Sequence, residues 1–185
     1  MRWLRFLSIF LLLPIAACAL NPRPDGSLAE TAGPYHLDSG DVVKVTVYGD
    51  ATLSSSYKVD DSGAIAMALV GPVPARGLTT TQVAAEIASA LGKGFMRNPN
   101  VAVEVDQYRP FYIQGDVKSS GQFPYSYGMT VRAAIATAGG PSGKSDPTRA
   151  TVYRRVGDRV VKAVVGLDFP IQPGDTITIN TTSML

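Results

Sequence analysis

The feature that most constrains this chain is a nine-residue pattern that occurs twice. Leu37-x-x-Gly40-Asp41-x-Val43-x-Val45 is matched by Ile171-x-x-Gly174-Asp175-x-Ile177-x-Ile179: an apolar residue, a Gly-Asp turn, then strict two-residue alternation. Each copy predicts a tight turn feeding a strand with one buried face. Glycine supplies positive φ at no steric cost and the Asp side chain bonds nearby backbone N–H groups, so the turn fixes which face each following Val or Ile occupies. A slip by one residue would turn them all outward. Nine positions alone also fit two unrelated turns in any β-rich chain, so the segments between them decide.

The amino terminus predicts export. Arg2 and Arg5 precede an almost wholly apolar run over residues 6–15, and Ala16-Ala17-Cys18 closes it with small residues. The run is shorter than the roughly 18 residues of a spanning helix, and its flanks are those of a secretory signal, placed at residues 1–17. Ile15-Ala16-Ala17-Cys18 resembles the bacterial lipobox, which implies cleavage between Ala17 and Cys18 and attachment of lipid, palmitate included, at Cys18. The alternative is a plain signal peptide cut at the alanines, leaving Cys18 as a free thiol. As the only cysteine it has no partner for an internal disulfide in an oxidising compartment. Several acyl chains anchor stably where one does not. Ala19, in place of an aspartate, points to the outer membrane, and residues 18–34, rich in Pro and Gly, read as a flexible tether.

Removal of Arg2 and Arg5 leaves 15 basic residues against 15 acidic ones, with no basic run. Nucleic acid is therefore not an expected partner. The 18 glycines and 13 prolines predict many turns.

From Tyr35 the chain reads as two α+β units, residues 35–108 and 109–185. In the first, residues 57–65 form a hairpin around Asp60-Asp61-Ser62-Gly63, and Leu69-Val70-Gly71-Pro72-Val73 closes the β region. Thr79 and Gln82 fit a capping box, Val83, Ile87 and Leu91 share a helix face, and Gly92 offers a left-handed stop. Val101, Val103 and Val105 alternate as a strand. The second unit opens with a strand from Phe111 into a Gly115-Asp116 turn, followed by a second strand over residues 122–125. Thr130 caps a helix with Val131, Ala134, Ile135 and Ala138 on one face, stopped by Gly139-Gly140-Pro141. Residues 151–155 and 159–165 flank a hairpin turn at Val156-Gly157-Asp158, and Pro173-Gly174-Asp175 leads into the last strand. The order ββαβββ predicts a small sheet gripping one helix, the β-grasp arrangement.

A family resemblance runs through these same residues. Tyr35-His-Leu-Asp-Ser-Gly-Asp41, Val59-Asp-Asp-Ser-Gly-Ala-Ile65, Val70-Gly71, Gly77-Leu78-Thr79 and Pro99-Asn-Val-Ala-Val103 resemble the polysaccharide biosynthesis/export domain. Gln114-Gly-Asp-Val117, Gly121-Gln-Phe-Pro-Tyr125, Met129-Thr-Val131, Ala138-Gly-Gly140 and Pro173-Gly-Asp175 resemble the SLBB domain, a soluble-ligand-binding β-grasp. The departures are Asp38-Ser39 where the family favours Gly-Pro, Ala68 for a proline, and Ser120 for the proline before Gly121. All fall at turns or edges, where proline helps without being required.

The resemblance implies a Wza-like outer-membrane lipoprotein that faces the periplasm and forms a homo-oligomeric ring conducting capsular polysaccharide or exopolysaccharide. It implies partnership with an inner-membrane polysaccharide co-polymerase of the tyrosine-kinase-like kind. Relatives with a pore of their own follow the SLBB part with an amphipathic helix; here residues 181–185 follow the last predicted strand, so a short form handing polymer to a separate outer-membrane β-barrel is expected.

Two rival readings are weighed beside it. An enzyme needs a positioned base, nucleophile or metal. The single histidine, His36, is more often structural or exposed, and Asp60-Asp61 before Ser62-Gly63 is turn chemistry. No catalytic residue, metal or cofactor is therefore expected. The other rival is a lipid-tethered module that binds a soluble sugar or similar small ligand. Tyr108, Tyr112, Tyr125 and Tyr127 offer aromatic faces with polar tips, although burial in the core or a subunit interface is the commoner fate of such residues. Tyr125 and Tyr127 share a face if their strand continues. Arg154, Arg155 and Arg159 either meet an acidic polymer or form a solvated edge that blocks pairing.

Overall fold

The computed structural model describes residues 28, 33–143 and 147–180. The leader, Ala17, Cys18, most of the tether and residues 181–185 lie outside the described residues. The repeated pattern supplies one strand to each of two separate hydrophobic cores. Strand β1 (Val42–Val47) follows the first Gly-Asp and buries Val43, Val45 and Val47.

β1 is the middle of a three-stranded antiparallel sheet, between β2 (Asp50–Lys58) and β5 (Val101–Gln107). β2 begins well before the hairpin residues that signal it in the sequence. Its first part buries only Leu53 fully, so Ser55 and Ser56 are strand through backbone pairing with β1 and not through an apolar pattern, while Ser54 sits at a register irregularity and accepts the Val47 N–H with its hydroxyl. The turn that follows is held by Asp60, whose Oδ1 accepts from the Ser62 hydroxyl (2.6 Å) and the Ala64 N–H (3.0 Å). Those bonds, that from Ser62 first, hold the Asp60 carboxyl below its ordinary pKa.

β3 (Ala64–Met67) and β4 (Gly71–Pro74) form a two-stranded ribbon, where Pro72 and Pro74 are tolerated because little ladder is interrupted. Helix α1 (Thr80–Gly92) has both halves of its capping box: Thr79 Oγ1 accepts the Gln82 N–H (3.3 Å) and Gln82 Oε1 accepts the Thr79 N–H (2.8 Å). Val83, Ile87 and Leu91 are buried, so the four-residue spacing sets the face laid on the first core. The left-handed residue after the helix is Gly94 (φ +124°), not Gly92, which still belongs to the helix. The chain unwinds through Lys93 before it turns.

The second unit is a five-stranded sheet in the order β7-β6-β10-β8-β9 with one short helix. The strands are β6 (Phe111–Gly115), β7 (Gly121–Phe123), β8 (Arg149–Val156), β9 (Arg159–Gly166) and β10 (Thr176–Ile179). First and last strands lie side by side and parallel, each flanked by its hairpin partner or neighbour in antiparallel sense. Helix α2 (Val131–Thr137), capped by Thr130, lays Val131, Ala134 and Ile135 against Phe111, Ile113, Val152, Ile177 and Ile179. This is the β-grasp arrangement. Leu28 packs against the same core. Neither helix is long and apolar enough to cross a membrane.

The Gly115-Asp116 step differs from the two Gly-Asp turns of the repeated pattern. It ends β6 at a bend, where the Asp116 N–H donates to the Ile179 carbonyl (2.9 Å). A Cβ on Gly115 would lie 2.1 Å from that carbonyl oxygen, at a φ of +92°. Gly49 has a similar φ of +89° and open space. Gly49→Ala should therefore cost about 1–2 kcal/mol, the price of a left-handed backbone alone. Gly115→Ala should cost distinctly more, because β10 must also move, and urea unfolding of the pair measures the difference.

Candidate functional site

The two copies of the repeated pattern dock onto their own helices by the same bond. The Leu37 N–H donates to the Leu78 carbonyl (2.9 Å), and the Ile171 N–H donates to the Met129 carbonyl (3.0 Å). Leu78 and Met129 each immediately precede a threonine N-cap. Within the turns, Asp41 Oδ2 accepts the Asp38 N–H (2.9 Å) and Asp175 Oδ2 accepts the Gln172 N–H (2.8 Å). Gly40 (φ +97°) and Gly174 (φ +84°) make that geometry possible. Both carboxylates are wholly buried, so each must be met by donors or a cation.

The second copy finds its cation inside its own unit. Arg154 Nε and Nη2 donate to the two Asp175 oxygens at 2.9 and 2.7 Å, a two-point grip, and Nη2 also donates to the Pro170 carbonyl. Arg154 is therefore not part of a solvated edge, as one of the two readings of the sequence had it. It shares the inward face of β8 with Ala150 and Val152, while Arg155 and Arg159 are exposed.

The first copy is completed from outside its unit. Arg109, between β5 and β6, donates its backbone N–H to Asp41 Oδ1 (2.8 Å) and Nη1 to Asp41 Oδ2 (3.2 Å). Its Nη1 also donates to the Tyr35 hydroxyl (2.8 Å), which in turn donates to Asp41 Oδ2 (2.6 Å). Burial, reinforced by the bond to the Asp41 carboxylate, pushes the Tyr35 phenol well above its ordinary pKa. Arg109 also touches both turns: a Cβ on Gly174 would come within 2.9 Å of its Nε, and one on Gly40 would sit 3.5 Å from its Cβ.

An aromatic series lines this seam. Tyr108 meets Tyr35 edge-on (centroids 5.0 Å, 80°) and Tyr125 edge-on (5.3 Å, 76°). Burial raises the pKa of both Tyr108 and Tyr125. The Tyr125 hydroxyl donates to the Ile171 carbonyl (3.3 Å). Beside it a cavity of about 260 Å³ is lined by Pro34, Tyr35, Arg109, Tyr125, Tyr127 and Gln172, among others.

Three of the four tyrosines singled out in the sequence thus come together, and Tyr112 does not. It points to the opposite sheet face from Phe111 and Ile113, pairs in register with Thr176, and is 45% exposed. Nor do Tyr125 and Tyr127 share a strand face, because β7 ends at Phe123. Tyr35 joins the cluster although it was not among those four; its signal in the sequence is its place at the head of the first export-domain motif, six residues ahead of Asp41. A wider groove of about 600 Å³ adjoins Arg109, with Arg76 paired to Asp38 (3.2 Å) along it. Among the described residues no group of three or more His, Cys, Asp or Glu is placed to hold a metal ion.

Comparison with known proteins gives two family matches in tandem. Residues 29–106 match the polysaccharide biosynthesis/export protein family, and residues 110–163 match the SLBB domain. The chain is 39% identical over 92 residues to the exopolysaccharide production protein ExoF of Rhizobium meliloti, covering 49% of this chain and 22% of that protein. It is 28% identical over 159 residues to the polysialic acid transport protein KpsD of Escherichia coli, covering 78% and 28% respectively. It is also 28% identical over 141 residues to the EPS I polysaccharide export outer membrane protein EpsA of Ralstonia nicotianae, covering 62% and 37%. The matched stretch thus spans between about a fifth and two fifths of the length of these relatives.

Two arginine truncations should separate the buried and exposed pairs. Arg154→Ala strands a buried carboxylate and should cost about 3–5 kcal/mol. Arg76→Ala breaks a pair whose side chains are 49% and 37% exposed and should cost less than about 1 kcal/mol. Denaturant midpoints at constant m-value read both; equal effects would contradict the electrostatic account.

Proposed function

We propose, from the premise that this chain carries a polysaccharide biosynthesis/export domain with an SLBB domain behind it, that it serves exopolysaccharide or capsule export as a lipid-anchored ring subunit on the periplasmic face of the outer membrane. The observation that carries this reading is the tandem order of the two matches along one chain. The relatives' names, concerned with polysaccharide production, transport and export, support it.

In this reading the protein makes and breaks no bond. Its subunits enclose a path along which polymer moves from an inner-membrane co-polymerase toward an outer-membrane β-barrel, with synthesis and energy supplied elsewhere. What this chain contributes is a rigid joint. Arg109 ties the two units through a buried carboxylate, which suits a subunit that must hold one angle around a closed ring. Cys18 is the acylation site in this reading, and lipid at that position places the ring at the membrane.

Deletion of the gene should abolish secreted polysaccharide, and Cys18→Ala should abolish acyl labelling and release the protein from membranes. The acylated protein extracted in detergent should sediment as a large homo-oligomer and appear as closed rings in negative stain. A protein that stays monomeric under every extraction condition, in a strain whose deletion mutant secretes normally, would favour the tethered receptor and refute export.

A further inference from the structure

Tyr127 is 76% exposed, more than any other large apolar or aromatic side chain described. A ring left so open adds little to either core, and what distinguishes it from the other exposed apolar side chains is where it stands. The backbone fixes that position. β7 stops at Phe123, the Met129 N–H donates to the Ser126 carbonyl (3.2 Å), and Gly128 takes a φ of +81°, which leaves Tyr127 at the tip of a tight turn. The tip lies on the wall of the cavity at the seam, together with Tyr125 and Tyr35.

The other aromatic walls are braced. The Tyr35 and Tyr125 hydroxyls are committed to Asp41 and to the Ile171 carbonyl, and Tyr108 wedges edge-on between their rings. The Tyr127 hydroxyl makes no hydrogen bond among the described residues. Among the described residues Arg109 is the one Lys or Arg lining the cavity, with its guanidinium engaged with Asp41 and Tyr35, and His36 is the other nitrogen base in the lining. Among the described residues the site therefore offers a carboxylate or phosphate no uncommitted Lys or Arg. It offers aromatic faces and a few neutral polar groups, which suits a molecule with an apolar C–H face and uncharged hydroxyls.

We propose that this cavity is a glycan subsite, which takes a short neutral stretch of the polymer with a pyranose face laid against Tyr127. The inference rests on the export reading and gives it a point of contact. A volume of about 260 Å³ lies just below the range of whole-ligand clefts, as suits a subsite for part of a chain, and the site falls at a domain interface, where such clefts concentrate. It holds part of a chain and leaves the rest outside.

The test uses the full acylated protein in detergent and, as probe, short oligosaccharides from partial hydrolysis of the producing cell's own secreted polysaccharide. Saturation-transfer NMR should show contact between sugar ring protons and tyrosine, and titration should give a dissociation constant. Tyr127→Ala should weaken binding about tenfold, the loss of one good stacking contact. Tyr127→Phe, which keeps the ring, should stay within about threefold. Tyr112→Ala, on the far sheet face, should change nothing. No binding by the wild type, or equal binding by Tyr127→Ala, overturns the subsite. If a deletion strain still loses secretion in that case, export survives without it, whereas normal secretion from the deletion strain overturns the export reading itself.

Discussion

A buried carboxylate that its own unit does not neutralise is the constraint on which the arrangement of this protein rests. Asp41 lies wholly out of water and accepts from the Asp38 N–H, the Tyr35 hydroxyl, and both the backbone and the guanidinium of Arg109. Removing an ionised carboxylate from water without partners costs several kcal/mol, so the first unit is electrostatically complete only with Arg109 in place. That residue stands two positions before β6, which opens the second unit. Closing the first core therefore aims the chain into the second, and the seam follows from the same contact.

The second copy of the pattern shows what the first would look like if it were self-sufficient. Asp175 has the same turn, the same bond from three residues back and the same link to a helix N-cap, yet its arginine comes from β8 of its own sheet. The difference lies in where the cation is drawn from and not in the turn. One copy seals a domain and the other joins two. Arg109 does both, since its side chain also packs over Gly174 and so touches the two turns at once.

Much of the fold was legible because its signals are local. The capping box at Thr79 and Gln82, the four-residue spacing of Val83, Ile87 and Leu91, and the alternation after the Gly-Asp of each pattern copy all act within a few residues, and the β-grasp order followed from the succession of such elements. The start of β2 was not legible, because Asp50, Ser55 and Ser56 pair with β1 through the backbone across an irregular stretch that buries little besides Leu53. Arg154 was hidden by its charge, although the period of two that buries Ala150 and Val152 places it on the same inward face. The seam was the least legible part. Asp41 and Arg109 are 68 residues apart, and no periodicity connects a turn in one unit to a linker beyond it. For the same reason Tyr35 was missed and Tyr112 was grouped with neighbours it does not meet.

The side-by-side placement of β6 and β10 carries a consequence for how the chain matures as it emerges N-terminus first. The first sheet has all its strands once residue 107 is out, whereas the central strand of the second unit is not made until residue 179. Both units are closed by long-range pairings of similar span, β1 with β5 and β6 with β10, but the first pair is complete while the second still lacks its last strand. Because Arg109 appears just after β5, the early-forming half can satisfy its buried charge while the remainder is still unstructured. Maturation is thus vectorial, with the joint set before the body that will hang from it.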